Sequence, residues 1–334
     1  MPNISIIIPA HNEERHIEKC IESLLAQEYR EIEIIVVDNG SSDNTSKIVE
    51  RYVESYGGKV RLLRMESNIG PGGGRNAGAS NATGEILVFV DADMAFPPDY
   101  VTKLISPIQR GEALLTTHAN EYVANVENPW VKVQGQTVRS TGRRTGEVFR
   151  AVKKDFFISH GGFDPSLHYH DDRTFFYKTG AKAKVVEEAY CYHNNPDTAK
   201  EIFRRNYLIG RTLLAVMHRE HGAKGLLYVT ATALVRLLDL VALPLAAAWA
   251  VLSPANPLLK ALFLAPIFAF TALTIRMKIV KAENLKEKII LRILYAPLYR
   301  IIRAAGLLTG VFTSLLFGLL VTSHETAENL THKN

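Results

Sequence analysis

Short apolar runs alternate with amphipathic segments along the first two hundred residues, and this alternation limits the folds that the chain can adopt. The runs ISIIIP, IEIIVVDNG, VRLLRM and EILVFVDAD are typical of strands, whereas RHIEKCIESLLAQ and NTSKIVERYVESY have the spacing of amphipathic helices. Strand, helix and strand in succession is the pattern of a parallel sheet covered by helices. The sequence therefore predicts an α/β domain at the start of the chain.

The pattern changes near residue 205, and a chain of 334 residues is longer than one ordinary domain. We therefore predict one domain over residues 1–205 and a second over residues 206–334. Three apolar runs in the second part approach the length of about 20 residues that crosses a bilayer. They predict membrane spans at about 226–252, 258–275 and 304–322. Amphipathic segments predict helices in the membrane interface at about 206–222 and 287–303.

Charge and cysteine content narrow the class of protein. The net charge of +5 comes with basic residues that become conspicuous near the apolar runs, which favours an anionic membrane surface over nucleic acid as a partner. The basic loop at residues 276–288 predicts a catalytic domain on the cytosolic side of the cell membrane. Cys20 and Cys191 lie far apart without CxxC spacing, so the sequence indicates neither a disulfide framework nor a thiolate metal site.

Aspartates follow two of the predicted strands. Ligands of open α/β sheets bind outside the carboxyl ends of the strands, where the pattern puts Asp38, Asp91 and Asp93. Asp91 and Asp93 would project to the same side of an extended backbone, where one ion could reach both. Mg²⁺ takes one or two protein carboxylates together with phosphate oxygens. A metal that carries a diphosphate is therefore one interpretation, and a helix cap is the alternative.

Two further segments predict ligand contacts. The glycines of NIGPGGGRNAG would let the backbone approach a ligand, and Arg75 at the start of the next helix could contact phosphate or ribose. A glycine loop with a solvated arginine is the alternative. In HGGFDPSLHYHDDRTFFYKTG, Asp171 and Asp172 open a helical pattern. One of them is a candidate general base, although paired acids at a helix start also interact favourably with the helix dipole.

Taken together, the motifs resemble the inverting family-2 glycosyltransferases with the GT-A fold. SIIIPAHNEE, IVVDNGSSDNT, NIGPGGGRNAG, VFVDADM, GGFD and HDDRTFFYKTG carry the resemblance over most of residues 1–195. It implies a nucleotide-diphosphate sugar donor and a divalent metal, Mg²⁺ or Mn²⁺. The residues implied to bind the nucleotide sugar are Pro9, Ala10, Asn12, Glu13, Asp38, Gly40, Asn68, Arg75, Asp91 and Ala92.

The resemblance also implies a catalytic base and metal ligands. Asp172 falls on the second acid of the family's Glu-Asp pair, which is the base. Asp171 stands where the family has glutamate, and its shorter side chain is implied to contact the acceptor. Asp91, Asp93 and His193, the last in YCYHNN, are the implied metal ligands. A structural role for His193 is the alternative.

Processive polysaccharide synthases carry a QxxRW element, and this chain departs from it. The segment KEIFRRNYLIGR retains Arg204 and Arg205 but has no tryptophan. The two arginines are predicted to hold an acceptor phosphate, and an interfacial helix with snorkelling arginines is the alternative. Processive synthesis is therefore disfavoured.

These features predict a membrane-integrated enzyme that transfers a hexose to a lipid-linked saccharide acceptor. The similarity to dolichyl-phosphate mannose synthases and small cellulose-synthase-like enzymes implies GDP-mannose as the first donor to consider and a role such as N-glycan biosynthesis. A polyprenyl- or dolichyl-monophosphate glycosyl synthase is the main alternative. A sugar nucleotidyltransferase would have its glycine loop directly after the first strand, where this chain has PAHNEE. A non-catalytic membrane receptor for nucleotide sugars is a third class.

Overall fold

The computed structural model describes residues 3–139, 145–165, 173–252, 284, 287 and 290–331. The chain divides into two compact units. The first comprises residues 1–124 and 137–195, and the second comprises residues 125–136 and 196–334. The predicted boundary at residue 205 falls within a helix of the second unit.

The first unit is built on a mixed sheet. Its strands are β1 (Ile4–Ala10), β2 (Ile32–Asn39), β3 (Val60–Met65), β4 (Ile86–Phe89), β5 (Met94–Ala95), β6 (Leu115–Val123), β7 (Val138–Arg139), β8 (Ala151–Lys153) and β9 (Lys184–His193). They follow the order β3-β2-β1-β4-β8-β6-β9-β5, and β7 pairs with β6. Strands β1 to β4 are mutually parallel. This confirms the predicted parallel α/β arrangement.

The second half of the sheet keeps the same strand direction through one antiparallel strand. Strand β8 is antiparallel to both β4 and β6, so β6 runs in the direction of β4. Strand β9 is parallel to β6. As a result, β1, β2, β3, β4, β6 and β9 all end at the same edge of the sheet.

Helices cover the sheet of the first unit. They are α1 (Ile17–Leu25), α2 (Thr45–Ser55), α3 (Gly70–Asn81), α4 (Tyr100–Gln109), α6 (Lys154–Ser159) and α7 (Thr174–Thr179). Ile6 and Ile8 of β1 face one buried cluster, whereas Ile7 faces another. Because successive side chains of a strand point to opposite faces, a strand buried on both faces is apolar at nearly every position. This explains the continuous run ISIII.

Helix α3 packs closely on the sheet through its glycines. A Cβ atom at Gly78 would overlap the side chain of Ile7, and one at Gly74 would lie 2.7 Å from Nδ2 of Asn39. These glycines allow helix α3 to approach the sheet closely, and the approach of this backbone to a ligand stays a prediction. The expected position of Arg75 is also corrected, because it lies in the second turn of α3 rather than at the helix start.

The second unit is helical in its described part. Its elements are α5 (Pro129–Lys132), α8 (Ala199–His221), α9 (Ala223–Leu252), a π-helical turn (Leu291–Tyr295) and α10 (Ala296–Thr331). Helices α8 and α10 approach each other at glycines. A Cβ atom at Gly210 would overlap the carbonyl oxygen of Leu307, and one at Gly310 would overlap that of Tyr207. The two backbones therefore pack without intervening side chains at these positions.

The predicted transmembrane domain is not supported. Within the described residues, we find no helix that combines enough length with enough apolar character to cross a bilayer. The spans predicted at 226–252 and 304–322 fall on α9 and α10, and the span predicted at 258–275 lies outside the described residues. Arg236 and Asp239 lie near the middle of the first of these runs. Charged side chains in the hydrocarbon core of a bilayer cost free energy. The interfacial location of segments 206–222 and 287–303 stays a prediction.

The close contact at Gly210 leads to a stability prediction. Gly210→Ala should destabilise the protein by about 1–2 kcal/mol, because overpacking against a backbone carbonyl outweighs the roughly 1 kcal/mol that alanine gains in a helix. Urea denaturation followed by circular dichroism measures the change. Gly57→Ala is the matched control, since a Cβ atom there meets nothing within 4 Å. Equal stability of the two variants would contradict the close packing of α8 on α10.

Candidate active site

The common strand direction brings four acidic or basic residues to one edge of the sheet. Asp38 lies near the end of β2, and Asp91 follows β4. Glu121 lies near the end of β6, and His193 is the last residue of β9. Because this is the edge where open α/β sheets bind ligands, it is the candidate active site.

Residues 91–93 form a turn that separates the two aspartates. The backbone N–H of Met94 donates to the carbonyl oxygen of Asp91 over 3.2 Å, so the predicted extended backbone is wrong. The carboxylate of Asp91 contacts Arg75 at 2.5 Å and Arg150 at 3.2 Å. That of Asp93 contacts Nε2 of His193 at 3.0 Å. In the described arrangement the two carboxylates therefore contact different partners.

Asp91 is held as an anion by two buried arginines. Arg75 and Arg150 are 6% and 5% exposed. Burial raises the pKa of Asp91, but the charges of Arg150 and Arg75 lower it by more, so this pKa lies well below its usual range. Burial lowers the pKa of Arg150, and Asp91 and Glu121 raise it well above its usual range. Asp91 is consequently ionised at neutral pH.

Glu121 links the pair of Asp91 and Arg150 to His193. Its side chain is fully buried, and Oε1 accepts from Arg150 over 3.0 Å. Its other oxygen, Oε2, lies 3.2 Å from Nδ1 of His193. Burial lowers the pKa of His193, but the carboxylates of Asp93 and Glu121 raise it by more, to about 9. The edge therefore carries a continuous series of alternating charges.

A second group of potential ligand atoms lies behind His193. His118, Glu121 and Cys191 are buried, and their ligand atoms lie within 4.8 Å of one another. However, the hydroxyl of Tyr100 lies 2.9 Å from Nδ1 of His118, and the guanidinium of Arg150 contacts Glu121. A neighbouring guanidinium opposes a cation, and thiolate is a poor ligand for Mg²⁺ or Mn²⁺. This group fits a buried polar network better than a metal site.

Asp93 and His193 fit a divalent metal better. The Nδ1 atom of His193 faces Glu121, so Nε2 faces the carboxylate of Asp93. A histidine that binds a metal through one ring nitrogen usually donates the N–H of its other ring nitrogen to a carboxylate, which here is that of Glu121. One carboxylate oxygen and one imidazole nitrogen are a donor set that Mn²⁺ accepts. Both oxygens of Asp91 are taken by guanidinium groups, and its predicted role as a metal ligand stays a prediction.

The loops after β1 and β2 bring several predicted nucleotide-binding residues together. Pro9 and Ala10 end β1, where Ala10 pairs with Asp38 in register. The carboxylate of Asp38 accepts from the backbone N–H of Ser41 over 3.0 Å. The side-chain oxygen of Asn12, a residue with φ of +59°, accepts from the N–H of Ser42 over 2.8 Å.

The other predicted nucleotide-binding residues outside the helices lie in the loops after β1, β2, β3 and β4. The N–H of Glu13 donates to the Thr45 hydroxyl over 2.8 Å. Gly40 has φ of +65°, and the side-chain oxygen of Asn68 accepts from the N–H of Gly70 over 2.9 Å. Ala92 is buried between the two aspartates of the turn. The structure thus gathers these residues at one edge, and their contacts with a nucleotide stay predictions.

The predicted catalytic acids follow a turn that is fixed to helix α3. The side chain of Asn76 donates to the carbonyl oxygen of Phe163 over 2.9 Å and accepts from its N–H over 3.0 Å. Asp171 and Asp172 lie outside the described residues. Arg204 and Arg205 lie on α8 of the second unit, and their role toward an acceptor also stays a prediction.

Glu121, Arg150 and His118 were not predicted from the sequence as residues of the site. The signal for two of them was present in LTTHANEYV, where polar residues interrupt the strand β6. Thr116, Thr117, His118 and Glu121 are nevertheless fully buried. Ionisable residues in a buried strand indicate a polar network. Arg150 precedes the short strand β8, and nothing in its local sequence distinguishes it.

Comparison with known proteins agrees with this architecture. Residues 5–165 match the family model described as glycosyl transferase family 2. Glycosyltransferase GlyG of Streptococcus pneumoniae is 34% identical over 212 residues, which cover 57% of this chain and 70% of that protein. The undecaprenyl-phosphate 4-deoxy-4-formamido-L-arabinose transferase of Proteus mirabilis is 26% identical over 184 residues, which cover 52% of this chain and 53% of that protein.

A solved structure shares the fold. The mannosyltransferase PcManGT from Pyrobaculum calidifontis, solved in complex with GDP-Man and Mn²⁺, superposes with a TM-score of 0.55 at 20% identity. The match covers 92% of this chain and 87% of that protein. At this identity the likeness concerns the fold. Residues 5–165 match the family model, the chain covers 70% of GlyG at 34% identity, and the sheet has an acidic edge. The chain is therefore a member of glycosyl transferase family 2 with a GT-A-like fold.

Proposed function

We propose that the protein is an inverting glycosyltransferase that moves a hexose from a nucleoside-diphosphate sugar to a lipid-linked saccharide acceptor. The observation that carries the proposal is the pairing of Asp93 with His193 at 3.0 Å, beside an Asp91 that two arginines hold ionised. These residues lie where the sheet edge would receive a diphosphate. The metal ligands in this proposal are Asp93 and His193.

The proposed mechanism is a single displacement. Asp93 and His193 would hold a divalent cation, which would supply positive charge to stabilise the departing diphosphate. The bond from the sugar C1 to the diphosphate oxygen breaks, and that oxygen keeps the electron pair. The acceptor oxygen bonds to C1 from the opposite face, which inverts the configuration. Its proton passes to the carboxylate of Asp172, the base implied by the family resemblance.

Asp172 provides a test of this assignment. Asp172→Asn should lower turnover about 10²-fold, as expected for the loss of a general base, while affinity for the nucleotide stays nearly unchanged. Initial rates at saturating donor and calorimetric binding of the nucleoside diphosphate measure the two quantities. Asp155→Asn is the control, since Asp155 is exposed on α6 of the same unit. Unchanged turnover would contradict the role of Asp172 as a base.

A polyprenyl-monophosphate acceptor is the second candidate, and the name of the Proteus mirabilis relative supports it. A phosphate monoester is already a nucleophile, so its reaction does not require a base. Unchanged turnover of the Asp172→Asn variant would therefore favour this acceptor. The glycine-rich stretch forms α3 after β3, which does not fit a sugar nucleotidyltransferase with its loop after the first strand.

The experiment that tests the proposal combines labelled nucleotide sugars with lipid acceptors. Purified protein is incubated with Mn²⁺, each of a panel that starts with GDP-mannose, and either a polyprenyl phosphate or a lipid-linked saccharide. Label in the extracted lipid identifies donor and acceptor, and no label in any combination would refute the proposal. The choice of GDP-mannose rests on the family resemblance, with the PcManGT complex as support. Location at the cytosolic face of the membrane is part of the proposal and rests on the basic loop at 276–288.

A further inference from the structure

We propose that Glu121 is a positioning residue, which holds the imidazole of His193 so that Nε2 is presented to the metal beside Asp93. This inference rests on the proposed function for the metal itself. It adds a residue on a different strand, one that the sequence motifs do not include. The contacts of Glu121 within the buried network support this role.

The register of the sheet brings Glu121 to His193. Strands β6 and β9 are parallel, with Glu121 opposite Cys191 and Val123 opposite His193. His193 also pairs with Met94 of β5, directly after Asp93. The backbone of His193 is therefore fixed on both sides. The ring of His193 can still rotate about its side-chain bonds, and its contacts with Glu121 and Asp93 set its orientation.

Glu121 uses its two oxygens for different partners. Oε1 accepts from Arg150 over 3.0 Å and lies 3.2 Å from Nε2 of His118. Oε2 lies 3.2 Å from Nδ1 of His193. An ionised carboxylate can only accept hydrogen bonds, so Nδ1 of His193 must carry a proton. By the same rule Nε2 donates to the Asp93 carboxylate 3.0 Å away. A metal bound between Asp93 and His193 would take the place of that proton, while the N–H at Nδ1 would stay on Glu121.

Burial makes this contact specific. The side chain of Glu121 has no exposed surface, whereas that of His193 is 12% exposed and that of Asp93 is 29% exposed. Water therefore cannot take the place of Glu121 at Nδ1, but an ion can approach the outer side of the ring. Exposure increases from Glu121 through His193 to Asp93, as expected for a supporting residue behind two metal ligands.

Glu121→Gln changes this arrangement without changing the shape of the side chain. A glutamine side chain has one accepting oxygen and one NH₂ group that only donates, and Arg150 can only donate. The amide oxygen must therefore stay with Arg150, and the NH₂ group faces Nδ1 of His193. The ring then accepts at Nδ1 and carries its proton on Nε2. In that tautomer Nε2 has no lone pair for a metal.

The test measures metal binding rather than transfer. The probe is Mn²⁺ with the purified protein, alone and with GDP or UDP, and the free Mn²⁺ signal in electron paramagnetic resonance gives the dissociation constant. We expect Glu121→Gln to weaken Mn²⁺ binding about 10- to 100-fold. Pulsed measurements should show a coordinated histidine nitrogen in the wild type. That nitrogen coupling should be absent from His193→Gln and greatly reduced in Glu121→Gln.

Glu33→Gln is the matched control. Glu33 is another buried glutamate of the same sheet, and it accepts from Ser5, Thr83 and Arg61. Its replacement should leave the Mn²⁺ constant and the nitrogen coupling as in the wild type. Equal losses in the Glu33 and Glu121 variants, or none in Glu121→Gln, would overturn the inference.

A wild-type measurement keeps the inference testable if Glu121→Gln does not fold. Protein grown with histidine labelled with ¹⁵N at one ring nitrogen should show the larger Mn²⁺ coupling from Nε2. A larger coupling from Nδ1, or no binding of Mn²⁺, would overturn it. Failure of the proposed function is seen in a different experiment, the incubation with labelled nucleotide sugars. It would appear there as the absence of label in the lipid extract, whatever the dissociation constant for Mn²⁺.

Discussion

Replacement of Asp93 by asparagine is expected to lower the rate of sugar transfer about 10³-fold or more, which corresponds to roughly 4 kcal/mol of transition-state stabilisation. The side chain keeps its size but loses the charge that would hold a cation at the departing diphosphate. Its amide group would also face Nε2 of His193, where the carboxylate now lies at 3.0 Å. Initial rates at saturating donor across a Mn²⁺ titration measure the loss.

The control for this variant is Asp99→Asn. Asp99 precedes α4 and pairs with Lys103 at 2.6 Å, and its side chain is 40% exposed. It should transfer sugar at the wild-type rate. Near-wild-type transfer by Asp93→Asn would exclude Asp93 as a metal ligand. A folded variant with lost transfer and weakened Mn²⁺ binding would support the assignment.

Replacement of Arg150 by methionine is expected to destabilise the protein by about 3–5 kcal/mol, because it removes the cation shared by two buried carboxylates. Arg150 contacts Asp91 at 3.2 Å and Glu121 at 3.0 Å. Asp91 would keep Arg75, but the fully buried Glu121 would lose its guanidinium partner. Urea denaturation of the purified variant, compared with the wild type, measures the free energy of unfolding.

One further variant separates the contribution of the Arg150 charge to stability from that of its packing, and a second variant is the control. Arg150→Lys keeps the charge with one compact ammonium group and should recover part of the stability. Arg110→Met removes an arginine that pairs with Glu112 at 2.5 Å on the surface, and it should leave the unfolding midpoint unchanged. A stable Arg150→Met protein would show that the buried network tolerates the loss of the guanidinium beside Glu121.

The sequence predicted the first half of the sheet well. The runs at β1, β2 and β4 were recognisable because strands buried on both faces are largely apolar, and the helices α1 and α2 because their apolar residues recur periodically. The edge strand β3 was recognisable from the shorter apolar run in VRLLRM. The positions of Asp38 and Asp91 at the carboxyl edge followed from the parallel order. These features depend on local pattern alone.

The rest depended on contacts between distant segments. Glu121 and Arg150 pair across strands that are not adjacent in sequence, and no local pattern encodes that pairing. The turn at residues 91–93 could not be read from DAD, because the triplet is compatible with both extended and turn conformations. The long apolar runs of the second half suggested membrane spans from composition. Length and hydropathy of the described helices do not support that interpretation.

Neighbouring residues of helix α3 contact two different parts of the site. Arg75 pairs with Asp91 after β4, while Asn76 holds the backbone of Phe163, which begins the stretch that leads to Asp172. Successive residues of an α-helix point about 100° apart and cannot move independently. For protein engineering this means that the segment that begins at the turn around Phe163 is not an exchangeable module. A chimera that receives residues 161–175 from a relative must also receive its α3, since otherwise the transplanted loop would be anchored by a side chain selected for a different backbone.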